Sequence, residues 1–364
     1  MKIGILTYHF VNNFGGVLQA YALRQTLERK LNQQAFVIDY RHPFILFTDF
    51  VRLFPVSASL KTIFFGFLTL MQRFRRLSRF LKFQKRELNL THCFITKRGF
   101  RKHVSDFDVY ISGSDQIWNP KITLGLCPSY CLDFVSTDKR KIAYAPSFGT
   151  YGLKHAHFER VARLVSSYAR LSVRETEGCE LLGEILGRRV PRLIDPTFLL
   201  TPEEWGAVAV PGTRRKRYIL LYIMQADETV YSYARRLKEL LGCPLVEISR
   251  YGTRHSFVDE TIVDAGPNEF LGLFRDAEFV CTNSFHGLCF SLIFTKRFYL
   301  VPSRRFSARL TSQLQIFGLE DLAGKKVDEI VSMEFPWKRI GEIVEEEREK
   351  AVRYLETGVG GGGE

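Results

Sequence analysis

Short apolar, β-branched runs alternate with stretches of helical period along most of this chain, a rhythm that predicts parallel sheets flanked by helices rather than a sandwich or a bundle. Residues 2–9 predict a first strand, which feeds the loop Asn12-Asn13-Phe14-Gly15-Gly16, a helix over about 17–31 and a second strand at 35–40. The pattern resumes with strands expected at 109–113, 142–145, 171–175 and 192–195, and with helices at 156–168 and 177–186. A second series places strands at 218–224, 245–249, 279–283 and 298–301, with helices at 229–241, 268–275, 288–294 and 307–317. The expectation is two doubly wound α/β halves in succession.

Pro196, Pro202, Pro211 and Gly212, followed by the basic turn Arg214-Arg215-Lys216-Arg217, mark the boundary between them. The first domain is expected over 1–200, with an insertion at about 44–90, and the second over 215–335. A helix at 336–356 is expected to lie back on the first domain. The Gly-rich stretch 357–364 is expected to be disordered, since it has nothing with which to form a core.

With 364 residues and 46% hydrophobic content, the chain can fill two cores. A formal net charge of +13 would suggest nucleic acid if the basic residues were spread over a face, but the excess is concentrated. From Phe50 to Arg86 there are nine Lys or Arg and no Asp or Glu. Within that block Leu60, Ile63, Phe64, Phe67, Met71, Phe74, Leu77 and Leu81 recur at helical spacing, interleaved with Arg73, Arg75, Arg76, Arg79, Lys82, Lys85 and Arg86. An apolar face with a cationic rim suits an anionic lipid interface, so residues 60–86 are expected to meet the membrane surface. The alternative is that the stripe packs on the first domain and the arginines are solvated. The block is too short in apolar length to span a bilayer. No nucleic-acid partner is expected.

No secretory signal precedes the first strand, and the seven cysteines lack framework spacing; both predict a cytoplasmic chain with reduced thiols. Cys127 and Cys131 form a lone Cys-x-x-x-Cys, and His-Glu-x-x-His is absent, so no metal site and no cofactor are expected.

Three places carry candidate chemistry. Thr282-Asn-Ser-Phe-His-Gly287 sits where an apolar strand gives way to an apolar helix, the position at which α/β proteins bind ligands. There His286 can exchange a proton or hold an anion at neutral pH. Gly113-Ser-Asp-Gln-Ile-Trp-Asn119 breaks a strand into a polar turn. Asp115, Gln116, Trp118 and Asn119 present an acceptor, amides and a stacking face suited to a sugar. Ser172-Val-Arg-Glu175 puts Arg174 at a sheet edge, where a guanidinium suits carboxylate or phosphate, unless Glu175 or a neighbouring helix pairs with it. Gly15 and Gly16 permit close backbone approach, as a ligand contact or simply as a tight turn. His9, at the end of the first strand, reads as a structural histidine or a second acid or base.

Taken in order, Asn13-Phe-Gly-Gly-Val-Leu-Gln-Ala-Tyr-Ala-Leu23, Gly113–Asn119, Ser172–Glu175, Asp195-Pro-Thr197 and Thr282–Gly287 resemble the polysaccharide pyruvyl transferase family. The resemblance runs from the first strand to about Val301 and leaves out the Phe- and Arg-rich insertion. It implies two Rossmann-like domains facing across a cleft, as in GT-B glycosyltransferases. It also implies transfer of the enolpyruvyl unit of phosphoenolpyruvate onto two sugar hydroxyls to give a pyruvate ketal.

On that basis His286, Arg174 and Asp115 are the expected catalytic residues. Arg174, Ser284, His286, Gly287, Gly15 and Gly16 are expected at the donor. Asp115, Gln116, Trp118 and Asn119 are expected at a saccharide acceptor, lipid-linked and at the inner membrane face. The rival expectations are a nucleotide-sugar glycosyltransferase on the same frame and a non-catalytic, membrane-attached partner in glycan assembly.

Overall fold

The computed structural model describes residues 1–51, 64, 67, 69–96, 99–100, 104, 106–149, 157–224, 228–250, 252–301 and 308–360. Leu60 and Ile63 of the expected apolar stripe lie outside the described residues, as do the first residues of the helices expected at 156–168 and 307–317. The chain divides into two compact units. One comprises Met1–Asp49, Gln84–Leu200 and Val344–Glu364; the other comprises Phe50–Phe83 and Thr201–Ile343.

The elements up to Leu200 are β1 (Lys2–Leu6), α1 (Phe14–Arg29), β2 (Gln34–Val37), α2 (Pro43–Val51), α3 (Leu70–Glu87), β3 (Val109–Ser112), β4 (Arg140–Ala143), α4 (Phe158–Val165) and α5 (Thr176–Leu186). The strands form one parallel sheet in the order β2-β1-β3-β4, with Ile3 paired to both Ala35 and Val109, and Ile111 paired to Ile142. Every residue of β3 is buried, as a parallel strand covered on both faces must be.

The runs expected as strands at 171–175 and 192–195 join this sheet only through single bridges, Ile142 to Arg170 and Val173 to Arg192. The reason is local: the Ala145 amide donates to the Ser172 hydroxyl at 3.1 Å, so a side chain stands where a ladder carbonyl would.

From Thr201 onward the elements are α6 (Pro202–Val208), β5 (Ile219–Tyr222), α7 (Glu228–Leu241), β6 (Leu245–Ile248), β7 (Glu260–Ile262), α8 (Pro267–Asp276), β8 (Phe279–Thr282), α9 (Phe285–Ile293), β9 (Arg297–Leu300), α10 (Ala308–Phe317), α11 (Val327–Ser332) and α12 (Trp337–Gly360). These strands form a second parallel sheet, β7-β6-β5-β8-β9. β7 has no counterpart among the expected strands, because three residues with two half-buried polar side chains leave no apolar alternation to detect. In the core of this unit Trp205 meets Phe290 edge-on at 5.3 Å, and Phe290 meets Phe270 at 5.6 Å.

Two segments depart from expectation. The inserted helix α3 falls with the second unit through Phe83, although the sequence attaches it to the first domain. Helix α12 continues to Gly360, so residues 357–360 are helical rather than disordered. There Val359 is buried, and the Gly358 carbonyl accepts from Arg140 Nε. From Val344 on, α12 belongs to the first unit: Tyr354 donates to the Ala143 carbonyl at 2.9 Å, and Arg348 Nε donates to the Phe198 carbonyl at 2.8 Å.

Candidate functional site

In each sheet the strand order reverses at one place, and there two strand ends diverge to leave a crevice for ligands. In the first unit the chain runs from β1 outward to β2 and then returns to β3, so the reversal falls between β1 and β3. In the second it runs from β5 through β6 to β7 and returns to β8, so the reversal falls between β5 and β8. Three of the motifs singled out in the sequence follow these strands: Asn13–Leu23 comes after β1, Gly113–Asn119 after β3 and Thr282–Gly287 at the end of β8.

At the first reversal, small hydroxyl residues tie the strand ends together. Thr7 Oγ1 donates to the Ser114 carbonyl at 2.8 Å, Ser114 Oγ to the Ala145 carbonyl at 2.7 Å, and Ser172 Oγ to the Ala143 carbonyl at 2.7 Å. The backbone is strained here: Asp115 has φ 66° and Ala145 has φ 50°, left-handed conformations that a side chain disfavours. The turn aims the Asp115 carboxylate at the start of α1, where a Cβ on Gly16 would come within 3.3 Å of Asp115 Oδ2 and 3.4 Å of the Tyr8 carbonyl. Gly16 therefore serves close approach to Asp115. The Gly15 amide is occupied, donating to the N-cap Asn13 Oδ1 at 3.1 Å.

Arg174 is buried with two carboxylates. Its Nε lies 3.0 Å from Glu175 Oε1 and its Nη1 lies 2.7 Å from Asp195 Oδ2. Burial pushes the guanidinium pKa down, but Glu175, Asp195 and Asp115 hold it above its ordinary value. Asp195 is fixed in turn, since its Oδ1 accepts from the Thr197 amide at 3.0 Å and the Thr197 hydroxyl at 2.8 Å. With Asp115 nearby, the first reversal carries more negative than positive charge, which disfavours a bound trianion there. Arg174 is thus the centre of a buried ion triad, with Glu175 pairing to it as the alternative reading of the sequence has it.

Of the expected acceptor residues, Asp115 and Gln116 sit at the turn, and Asp115 Oδ1 accepts from the Gln116 amide at 2.9 Å. Asn119 is buried and donates to Gln116 Oε1 at 2.8 Å, which orients the glutamine. Trp118 is not a stacking platform. It is 0% exposed, donates its indole N–H to the Tyr130 carbonyl at 3.2 Å and packs against Phe148 and Tyr168. An aromatic in a polar turn looks like a sugar contact, but here the ring is an anchor for the turn.

His9 is fully buried, with Nδ1 3.1 Å from the Thr7 carbonyl and Nε2 2.9 Å from Asp39 Oδ1. Burial raises the Asp39 carboxyl, and its hydrogen bonds from His9 and Arg41 more than reverse this, leaving it well below the usual carboxylate range. Held on both ring nitrogens, His9 reads as structural.

The sequence did not single out Tyr8 and Tyr130, whose rings meet edge-on at 5.0 Å. Both hydroxyls are buried without a hydrogen-bond partner among the described residues. Burial raises the Tyr8 pKa well above the ordinary value, and the Asp115 charge raises it further. Tyrosines in an aromatic core look like packing, and what marks these as candidates is their buried hydroxyls, with the Asp115 charge acting on that of Tyr8.

At the second reversal Thr282 Oγ1 donates to the Tyr222 carbonyl at 2.6 Å and accepts from the Ser284 amide at 3.1 Å. Ser284 is the N-cap of α9, and its hydroxyl accepts from the Gly287 amide at 3.3 Å. Gly287 is obligatory, because a Cβ there would stand 2.3 Å from Thr282 Oγ1. Its role is therefore to seat the helix, since its amide is already capped. His286 lies in the first turn of α9, 6% exposed, with its ring edge-on to Phe285 at 5.1 Å. Burial raises the Tyr222 phenol, while Arg76, the Ser284 hydroxyl and Arg250 oppose that rise. The start of α9, with its Ser284 cap, is the feature of this reversal that favours an anion. Among the described residues there is no cluster of three or more metal-ligating side chains.

Two parallel sheets wrapped by helices, each with its polar motif at the reversal of strand order, define a tandem Rossmann-like α/β protein of the GT-B fold class. Solved structures with this fold include one described as a UDP-N-acetylglucosamine 2-epimerase from Listeria monocytogenes, at 10% identity and TM-score 0.52, covering 97% of this chain and 90% of that one. Another UDP-N-acetylglucosamine 2-epimerase matches at 8% identity and TM-score 0.54, covering 100% of this chain and 97% of that one. At such identity the likeness concerns the fold alone. No curated protein matches the sequence. The chain belongs to the polysaccharide pyruvyl transferase family, whose model matches residues 13–304.

Proposed function

We propose that this protein transfers the enolpyruvyl group of phosphoenolpyruvate to two hydroxyls of one sugar in a surface glycan, releasing phosphate and leaving a cyclic pyruvate ketal. The observation that carries the reading is the His286 site: a buried histidine in the first turn of α9, next to the Ser284 cap and at the reversal of the second sheet. That environment suits a small trianion, whereas the carboxylate-rich first reversal suits neutral sugar hydroxyls.

In the reaction a proton is added to the methylene carbon of phosphoenolpyruvate, one sugar oxygen bonds to C2, and the C2–phosphate bond breaks as the second sugar oxygen closes the ring. Of the two hydroxyl protons released, one balances the proton placed on carbon and the other leaves with phosphate. We assign His286 as the acid for the carbon or the departing phosphate, and Asp115 as the group that accepts a hydroxyl proton. Arg174 acts as a positioning residue that fixes Asp195 and Glu175. A lipid-linked saccharide is the proposed acceptor.

The test is to incubate the purified protein with phosphoenolpyruvate or nucleotide sugars and a panel of lipid-linked glycans. Phosphate release with the mass gain of one ketal supports the reading. Nucleotide release in its place would overturn it, and so would silence across a broad panel.

A further inference from the structure

Helix α3 carries two different faces. Toward its own unit it is an ordinary packing helix: Arg73, Phe80 and Phe83 are buried. Arg79 Nη1 donates to the Asp264 carbonyl at 2.7 Å, and Arg79 Nε lies 3.2 Å from Glu269 Oε1. The contact is close enough that a Cβ on Gly266 would come within 2.5 Å of the Arg79 Cβ.

On the opposite side Met71, Phe74, Ser78 and Leu81 follow one another at steps of three and four, so at about 100° per residue they share one stripe. Met71 is 73% exposed, Phe74 49% and Leu81 45%, and Phe67 just ahead of the helix is 71% exposed. Arg75, Lys82, Lys85 and Arg86 are exposed on the same side. Large apolar side chains at this exposure, in one row, are not a feature of a solvated surface helix.

We propose that this face docks on an anionic bilayer, the apolar row entering the headgroup boundary and the basic residues meeting lipid phosphates. Charge decides the occupant. With no acid from Phe50 to Arg86, a second copy of the helix would bring cation against cation along the seam, whereas an anionic surface neutralises the whole edge. No described helix is long and apolar enough to cross a membrane, so the contact is interfacial. The proposal stands apart from the transfer chemistry and survives its failure.

The experiment is flotation of the full chain with vesicles of phosphatidylcholine alone or mixed with phosphatidylglycerol, alongside light scattering without lipid. Binding is expected to the mixed vesicles only. Phe74→Ser and Leu81→Ser should each weaken it about tenfold, and Lys82→Gln and Lys85→Gln about fivefold each. These positions face outward, so thermal melting should be unchanged in all four variants. Failure of the wild type to float overturns the proposal. So does binding indifferent to Phe74→Ser and Leu81→Ser, which would reduce it to bulk charge, and so does a concentration-dependent dimer abolished by those two changes in a protein that ignores vesicles.

Discussion

The two sheet reversals share a topology and differ in charge. At the first, a buried arginine is enclosed by Glu175 and Asp195 with Asp115 close by, and orphaned tyrosine hydroxyls stand near. At the second, a buried histidine lies in the first turn of a helix capped by Ser284, and the Arg76 and Arg250 charges oppose the rise that burial gives the Tyr222 phenol. One topology therefore carries two different sets of polar contacts, and the side chains that follow each strand decide which.

The sharpest way to break this comparison is to remove the proton-handling group from each side. His286→Ala and Asp115→Asn should each lower kcat about a hundredfold to ten-thousandfold in a folded protein. Only His286→Ala should also weaken competition by inorganic phosphate. If Asp115→Asn shifts phosphate competition and His286→Ala does not, the donor and acceptor assignments are reversed.

Next in size is Arg174→Met, which strands Glu175 and Asp195 without their cation and should cost about 3 to 5 kcal/mol, measured by chemical denaturation. A raised KM for phosphoenolpyruvate with unchanged stability would instead restore Arg174 as a donor contact.

Glu247 in β6 tests the second unit by pH. Burial pushes its carboxyl from 4.5 up to about 7, opposed by a hydrogen bond from Tyr231, and its Oε2 has no hydrogen-bond partner among the described residues. Between those values the unfolded chain ionises while the folded chain keeps its proton. Stability should therefore fall by about 3 kcal/mol as pH rises through the window and level off above it. Glu247→Gln should flatten that slope; an unaltered slope would place its origin elsewhere.

The smallest effect is expected from Trp118→Phe, which should cost about 1 kcal/mol of stability and leave the acceptor KM unchanged. A large rise in that KM would return Trp118 to the sugar site.

Most of the strand and helix order was legible from apolar periodicity, because a strand covered on both faces needs an unbroken apolar run, as in Phe279-Val-Cys281 of β8. β7 was not, since an edge strand of three residues buries too little to leave a pattern. The helical end of α12 was hidden as well. Gly358 reads as flexible in isolation, and only the Arg140 bond to its carbonyl and the neighbouring Ile142 make it a contact.

The motifs likewise located the two reversals of strand order but not the contacts made there. Residue type and order alone placed His286 and Asp115 just past strand ends, because strand-to-helix junctions require recognisable caps and glycines. Whether a guanidinium meets a ligand or two carboxylates depends on Asp195, which lies twenty-one positions away and comes within 2.7 Å only in the folded unit. Whether Trp118 faces solvent depends on Tyr130, Phe148 and Tyr168. On α3 the sequence determined that one helix is both apolar and basic; the tertiary structure decided which side packs and which side stays open. Periodicity and caps are local in the chain, whereas charge pairing and burial are set by neighbours that only folding brings together.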